Sequence, residues 1–152
     1  MRISAKADYA VRAAAELAAA PPGRPVKAER IAHSQRIPRE FLENILRDLR
    51  RAGLVATQRG AEGGSMLARP ASEISVAEVL RAVEGPLAAV RGVRPESLTY
   101  EGAASSLVDV WIAVRASLRS VLDVVTLADV AAGELPEVIR AAVSDPANWQ
   151  PR

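Results

Sequence analysis

No cysteine occurs among these 152 residues, which excludes disulfides, thiolate nucleophiles, zinc–thiolate centres and a conventional iron–sulfur cluster. Histidine occurs once, at His33, and no two carboxylates stand in a recognisable acid/base context, so an enzyme is not expected. Aromatic residues make up only 3% of the chain, so the core must be built from Ala, Leu, Val and Ile, a mixture that favours helices over a β-sandwich. No apolar run approaches the ~18 residues of a membrane span. The opening MRISAKADYAVRAAAELAAAPP faintly imitates a secretion signal, but Asp8, Arg12 and Glu16 interrupt its apolar stretch, and a cytoplasmic protein is expected.

Charge is unevenly distributed. Net charge is +2 overall, yet residues 1–69 hold 13 Arg/Lys against 7 Asp/Glu and residues 70–152 hold 7 against 11. The first half is therefore basic by six charges and the second acidic by four. A basic half of this kind suits a polyanionic partner, although chance partition of surface charge would look the same.

Local signals divide the chain into helices. Ser4 can cap a first helix that Pro21-Pro22-Gly23 ends, and Lys27 to His33 reads as a short second helix. Ser34 to Ile37 reads as a turn, and Pro38 suits the first position of a third helix, so the two helices have helix-turn-helix spacing. The third helix, PREFLENILRDLRRAG, carries Phe41, Leu42, Ile45, Leu46 and Leu49 as one apolar stripe. Arg39, Glu43, Arg47 and Arg51 recur on the other face, with Glu40 and Asn44 beside them, and Gly53 acts as the stop. LVATQ and SMLA then flank RGAEGG, a glycine-rich tip with Arg59 at its start, which predicts a hairpin. A helix displaying Arg, Glu and Asn before a basic-tipped hairpin is the reading head of a winged helix-turn-helix, so DNA binding is expected.

The second half holds two further cap signals, Ser75 with Glu78 and Thr126 with Asp129. Between them, residues 85–102 read as a loop. Leu107, Trp111, Val114, Leu118, Val121 and Val125 step by fours and threes, a pattern that predicts a long dimerisation helix, with packing inside one protomer as the alternative. The tail from Asp145 reads as loose. The expected fold is mainly α with a small β-hairpin wing. A winged helix-turn-helix domain spans 1–70, a linking helix and loop 71–102, and a dimerisation helix with a C-terminal helix 103–152.

Taken in order, MRISAKADYAVRAAAEL, IPREFLENILRDLRRAGLV, RGAEGGSMLARP, EISVAEVLRAVEGP and TLADV resemble the IscR/NsrR/CymR-type (Rrf-two) winged-helix regulators of bacteria. The resemblance implies that Pro38–Arg51 enters the major groove and the hairpin touches the minor groove. By matching position it implies Glu43, Asn44, Arg59 and Gly60 as readers, with Ser4 and Lys6 near the DNA backbone. The chemistry of each type agrees: Asn pairs with adenine, Arg with guanine, and a carboxylate accepts from cytosine N4. Arg39 and Arg47 join the candidate DNA-binding set, but they and Arg51 would equally suit a solvated face paired with Glu43 or Asp48.

Two departures stand out. Ala61-Glu62 occupies the wing tip where the family commonly has Pro-Gly, which sets a carboxylate against phosphate. Many members also hold an iron–sulfur cluster through three cysteines in the loop before the dimer helix, and here that loop, GPLAAVRGVRPESLTYEGAASS, contains none. Asp8 and His33 match positions that some members recruit for a cluster; without sulfur they make half a site at most, so no metal and no cofactor is expected. The resulting expectation is a homodimeric regulator, a repressor at an inverted repeat of double-stranded DNA. Its signal would be a small-molecule effector, held near Tyr9, Trp111 and the 85–102 loop, or a regulatory protein partner. The competing expectation is a winged-helix interaction scaffold that has lost specific DNA reading.

Overall fold

A computed structural model describes residues 2–151. Seven α-helices and one hairpin follow in the order α1 (Ala5–Ala19), α2 (Ala28–Gln35), α3 (Arg39–Arg51), β1 (Val55–Gln58), β2 (Gly64–Leu67), α4 (Val76–Glu84), α5 (Leu107–Leu122), α6 (Leu127–Ala132) and α7 (Glu137–Ser144). The expected mainly helical fold with a hairpin wing is the observed one.

Helix α1 is the centre of the body. Ser4 caps it by accepting the Ala7 amide at 3.0 Å. Its inward stripe is Ala7, Ala10, Ala13, Ala14 and Leu17, all buried. Because four of these five side chains are single methyl groups, neighbouring backbones can come close from several directions, and α1 packs against α2, α3, α4 and α6. Bulk comes instead from the partners: Ile31, Leu42, Ile45, Leu49, Ile74, Val79 and Leu127 close the core.

The helix-turn-helix forms as its sequence dictates, with small shifts. Helix α2 runs through Ser34 and Gln35 and ends at Arg36, which adopts the left-handed conformation (φ 52°) while its amide returns to the last turn. Pro38 lies at the N-cap of α3, one position earlier than expected, and its carbonyl accepts the Leu42 amide at 3.1 Å. Phe41 does not join the apolar stripe. It is 49% exposed and meets Tyr9 edge-on at 6.1 Å between ring centroids. At 100° per residue it lies roughly 100° from the centre of the stripe that Leu42, Ile45, Leu46 and Leu49 define.

The hairpin pairs Val55 with Leu67 through Gln58 with Gly64, and Val26 adds a bridge to Ser65 on the other edge. Two glycines make the tip feasible. A Cβ on Gly63 would collide with the carbonyl of Gln58, and one on Gly64 would sit 2.5 Å from the carbonyl oxygen of Val26.

Both predicted capping boxes are present, Ser75 with Glu78 and Thr126 with Asp129. They also lie side by side, because Ser75 and Thr126 form a bridge, with the Val76 amide on the Val125 carbonyl and the Leu127 amide on the Ile74 carbonyl, each at 2.9 Å. This bridge corrects the reading of Val125 as the end of the dimer seam. Helix α5 stops at Leu122, and Val125 is buried beside the 74–76 segment. The tail is also more ordered than its composition suggests. Pro146–Trp149 form a helical turn, the Trp149 indole donates to the Val143 carbonyl at 2.6 Å, and Arg152 lies outside the described residues.

Ala13 is fully buried where α1 meets its neighbours, so Ala13→Leu should lower stability by ~1–3 kcal/mol through overpacking. Urea denaturation would show it, with Ala19→Leu on the exposed face as the neutral control.

Candidate nucleic-acid interface

Helix α3 hides Leu42, Ile45, Leu46 and Leu49 and leaves Arg39, Glu40, Glu43, Asn44, Arg47, Arg50 and Arg51 on the surface. These polar residues differ in how far the protein already engages them. The Arg39 guanidinium lies between Glu29 of α2 at 2.8 Å and Glu43 at 3.0 Å, and both contacts are solvent-exposed. Glu29 is held below the usual carboxylate range, first by its own backbone amide and then by Arg39. Arg39 is therefore a tie between the two helices of the motif, and it fixes Glu43 in place. Asn44 and Arg47 are exposed and make no side-chain hydrogen bond or ion pair among the described residues. Together with Arg51, which is likewise exposed and unpaired among the described residues, they leave unused donors on this face.

The wing is oriented by a contact that the sequence reading missed. Arg50 donates to the Thr57 hydroxyl at 3.2 Å, tying the C-terminal turn of α3 to β1. Only the fold could have shown it, because an arginine seven residues ahead of a threonine carries no pattern. Arg59 stands at the hairpin tip, exposed and without an ion partner among the described residues, beside Gly60 at φ 103°. Glu62 is also exposed, and it shares a surface cavity with Arg24 and Lys27 from the lead-in to α2 and with Arg30 in its first turn. These cations lie on the wing side of the motif and were not singled out by sequence. Their signal was the positive balance of the first half.

Ser4 and Lys6, matched to DNA-backbone positions, are both committed inside the protein. Ser4 caps α1 and its hydroxyl donates to Glu84 of α4. Lys6 pairs with Asp48 of α3 at 2.7 Å, with its side chain 38% exposed. Ser4 thereby ties α1 to α4, and Lys6 ties it to α3, the helix that carries the polar face.

Asp8 is paired with Arg12 at 2.9 Å, and His33 is exposed on α2. Among the described residues no group of three or more His, Asp or Glu side chains is placed to hold a metal ion.

An exposed polar helix on a helix-turn-helix, with a basic-tipped hairpin beside it, defines a winged helix-turn-helix DNA-binding transcription regulator. The chain belongs to the Rrf2 family, described as iron-dependent transcriptional regulators, whose model matches residues 3–133. It is 53% identical over 145 residues to a Mycobacterium tuberculosis protein assigned to the HTH-type transcriptional regulators, covering 95% of this chain and 90% of that one. It is 34% identical to the HTH-type transcriptional regulator CymR of Bacillus subtilis, covering 86% of this chain and 90% of that protein. The solved structure of CymR, described as the global cysteine regulator of B. subtilis, matches with a TM-score of 0.73 over 88% of this chain and 98% of that one, at 33% identity. IscR of T. potens matches with a TM-score of 0.70 at 34% identity, over 88% of each chain.

The family description invokes iron, and the residues here do not fit it. Soft thiolate donors are absent from the whole chain. In the 85–102 loop Glu96 is engaged by Arg115, which leaves Glu101 as the one carboxylate there unpaired among the described residues, and that loop contains no histidine. Reconstitution with ferrous iron and sulfide should leave the visible spectrum without a cluster band, and chelators should not alter DNA binding.

Arg59→Ala should weaken binding to a specific duplex by ~1–3 kcal/mol, the scale of one good base contact, in a fluorescence-anisotropy titration. Unchanged affinity would remove the wing tip from the interface.

Proposed function

We propose that this protein is a homodimeric, sequence-specific repressor that binds an inverted repeat and responds to a signal other than an iron–sulfur cluster. The reading rests chiefly on the face formed by Asn44, Arg47 and Arg59, donors with no partner among the described residues, standing on a helix and on a wing tied to it by Arg50. Asn44 and Arg47 suit base edges in the major groove, and Arg59 suits the narrow, strongly negative minor groove. Glu43 would be repelled by phosphate, so it acts mainly against wrong bases by presenting an acceptor that an amino group, such as cytosine N4, satisfies and a guanine or thymine oxygen does not.

Dimerisation is supported by α5. It has sixteen residues, most of them apolar, and none is buried within the protomer. Its stripe divides in two. Trp111, Val114 and Leu118 line a cavity of the same chain with Leu80 and Leu87, whereas Val110 and Val121 are 49% and 41% exposed. The proposed seam is therefore Val110, Ala113, Ser117 and Val121, one step round the helix from the predicted line through Leu107, Trp111, Val114 and Leu118. A two-fold dimer across that seam would need to hold its two α3 helices about one DNA turn apart, ~34 Å, to match an inverted repeat.

Binding to labelled DNA from the promoter of its own gene, titrated with salt, tests the function. A steep salt slope with loss to a specific competitor supports it, and a flat response to any duplex favours the scaffold reading instead. Val121→Glu should convert the protein to a monomer by light scattering and reduce operator affinity at least ~10-fold, because both half-sites are then no longer held together. Glu43→Ala should broaden the sequences recovered in a binding selection more than it lowers affinity; an unaltered profile would remove Glu43 from discrimination.

A further inference from the structure

The acidic second half contains seven arginines, and four of them, Arg81, Arg94, Arg115 and Arg119, line one surface cavity of about 260 Å³. They come from three separate elements. Arg81 lies on α4, Arg94 in the 85–102 loop, and Arg115 and Arg119 one turn apart on α5. Such convergence runs against the charge of the region. Four guanidiniums held close together repel one another unless anions balance them.

The protein supplies two of the balancing charges. Asp123 takes Arg81 at 2.8 Å, and Glu96, on the wall of the cavity, takes Arg115, whose side chain is only 14% exposed. Arg94 and Arg119 are exposed and have no ion partner among the described residues. The cavity is thus short of two negative charges. Planar guanidiniums with unused N–H groups are the standard recognition chemistry for carboxylate and phosphate oxygens.

We infer that this cavity is a binding site for a compact dianion, a phosphate group or a small dicarboxylate, and that its occupant is the effector of the regulator. The cavity suits a ligand of that size, at the small end of ligand sites. Its location also suits control. Helix α5 is held to the body chiefly by α4, by the 95–97 turn and by the Trp111 indole on the Tyr100 hydroxyl, and the arginines sit at the first two of those junctions. A dianion joining Arg94 to Arg119 would lock the loop onto α5 and fix the angle at which α5 leaves the body. The site stays open in the proposed dimer. At 100° per residue, Arg115 and Arg119 lie roughly 160° round the helix from Val110, Ser117 and Val121.

The regulatory part of this inference rests on the dimeric DNA-binding reading; the ligand site does not, so its test uses no DNA. Calorimetric titration of the full chain with inorganic phosphate, with succinate and with sodium chloride at matched ionic strength separates the sources. Saturable binding of phosphate or succinate, one per chain, and none of chloride is expected, and the tighter of the two names the ligand's head group. Arg94→Ala and Arg119→Ala should each weaken it at least ~10-fold, as loss of a charge-assisted hydrogen bond does, with an unchanged melting temperature in chloride. Arg59→Ala should leave it unchanged. Heat that does not saturate, or that chloride reproduces, would overturn the site. So would binding lost in Arg59→Ala and kept in Arg94→Ala and Arg119→Ala, because the anion would then lie on the DNA face. If the anion binds but operator affinity is the same with and without it, the site stands and the effector role falls.

Discussion

The structure depends on how closely other helices can approach α1. Ala7, Ala10, Ala13 and Ala14 present a face without bulk, and α2, α3, α4 and α6 all gather on that helix. Small contact residues shorten interaxial distance, and each added methylene would push one partner away. Since α3 is one of those partners, the position of the reading face is set by a core of methyl groups. The polar ties around the rim then fix the angles. Lys6 to Asp48 joins α1 to α3, Ser4 to Glu84 joins it to α4, and Arg12, with Glu16, holds Gln35 at the end of α2. Exposed pairs of this kind add little stability individually, but they limit rotation about a smooth interface.

Electrostatics at the reading face sort the arginines into two groups. Arg39 and Arg50 are occupied, one by Glu29 and Glu43 and the other by Thr57, and they orient the motif. Arg47, Arg51 and Arg59 have no ion partner among the described residues and can give their charge to DNA. Arg24, Lys27, Arg30 and Arg36 are likewise exposed without an ion partner among the described residues, so the ion pairs of the first half leave most of its cations available for phosphate. On the proposed reading, the carboxylates of Glu43 and Glu62 oppose that attraction at the points where they face DNA.

Much of this was legible in sequence where a local rule decides the outcome. The α3 stripe, the two capping boxes and the glycine hairpin each follow from the chemistry of adjacent residues, and each formed. Legibility failed where tertiary contact overrides local pattern. Val125 continues the spacing of α5, yet the 125–127 segment pairs with 74–76 and leaves the helix. Phe41 is as apolar as its neighbours, but its angle carries it out to Tyr9. Lys6 and Arg50 look like free cations until the fold brings Asp48 and Thr57 to them. Residues 81, 94, 115 and 119 are too scattered in sequence for any motif to collect, and only the docking of α5 against α4 brings them together.

The 85–102 loop shows what a cysteine-free member of this family must do differently. A metal cluster would cross-link such a loop from within; here the ordering is carried by ordinary contacts. Val90 and Val93 pair through both amides at 2.9 Å, Pro95 is buried, and Glu96 reaches across to Arg115. Ala88 and Arg91 adopt left-handed backbone at φ 56° and 53°, conformations that side chains resist. The loop is thus held in a shape of its own, some of it strained, and it meets α5 through the Glu96–Arg115 ion pair and through the Trp111 indole, which donates to the Tyr100 hydroxyl at 3.2 Å. Neither link is covalent or metal-borne, so a dianion bridging Arg94 and Arg119, as inferred above, would add a third tie between the same two elements without displacing Glu96. On that inference, signal and structure would meet between the loop and α5, where a protein without thiolates can still change how its long helix is held.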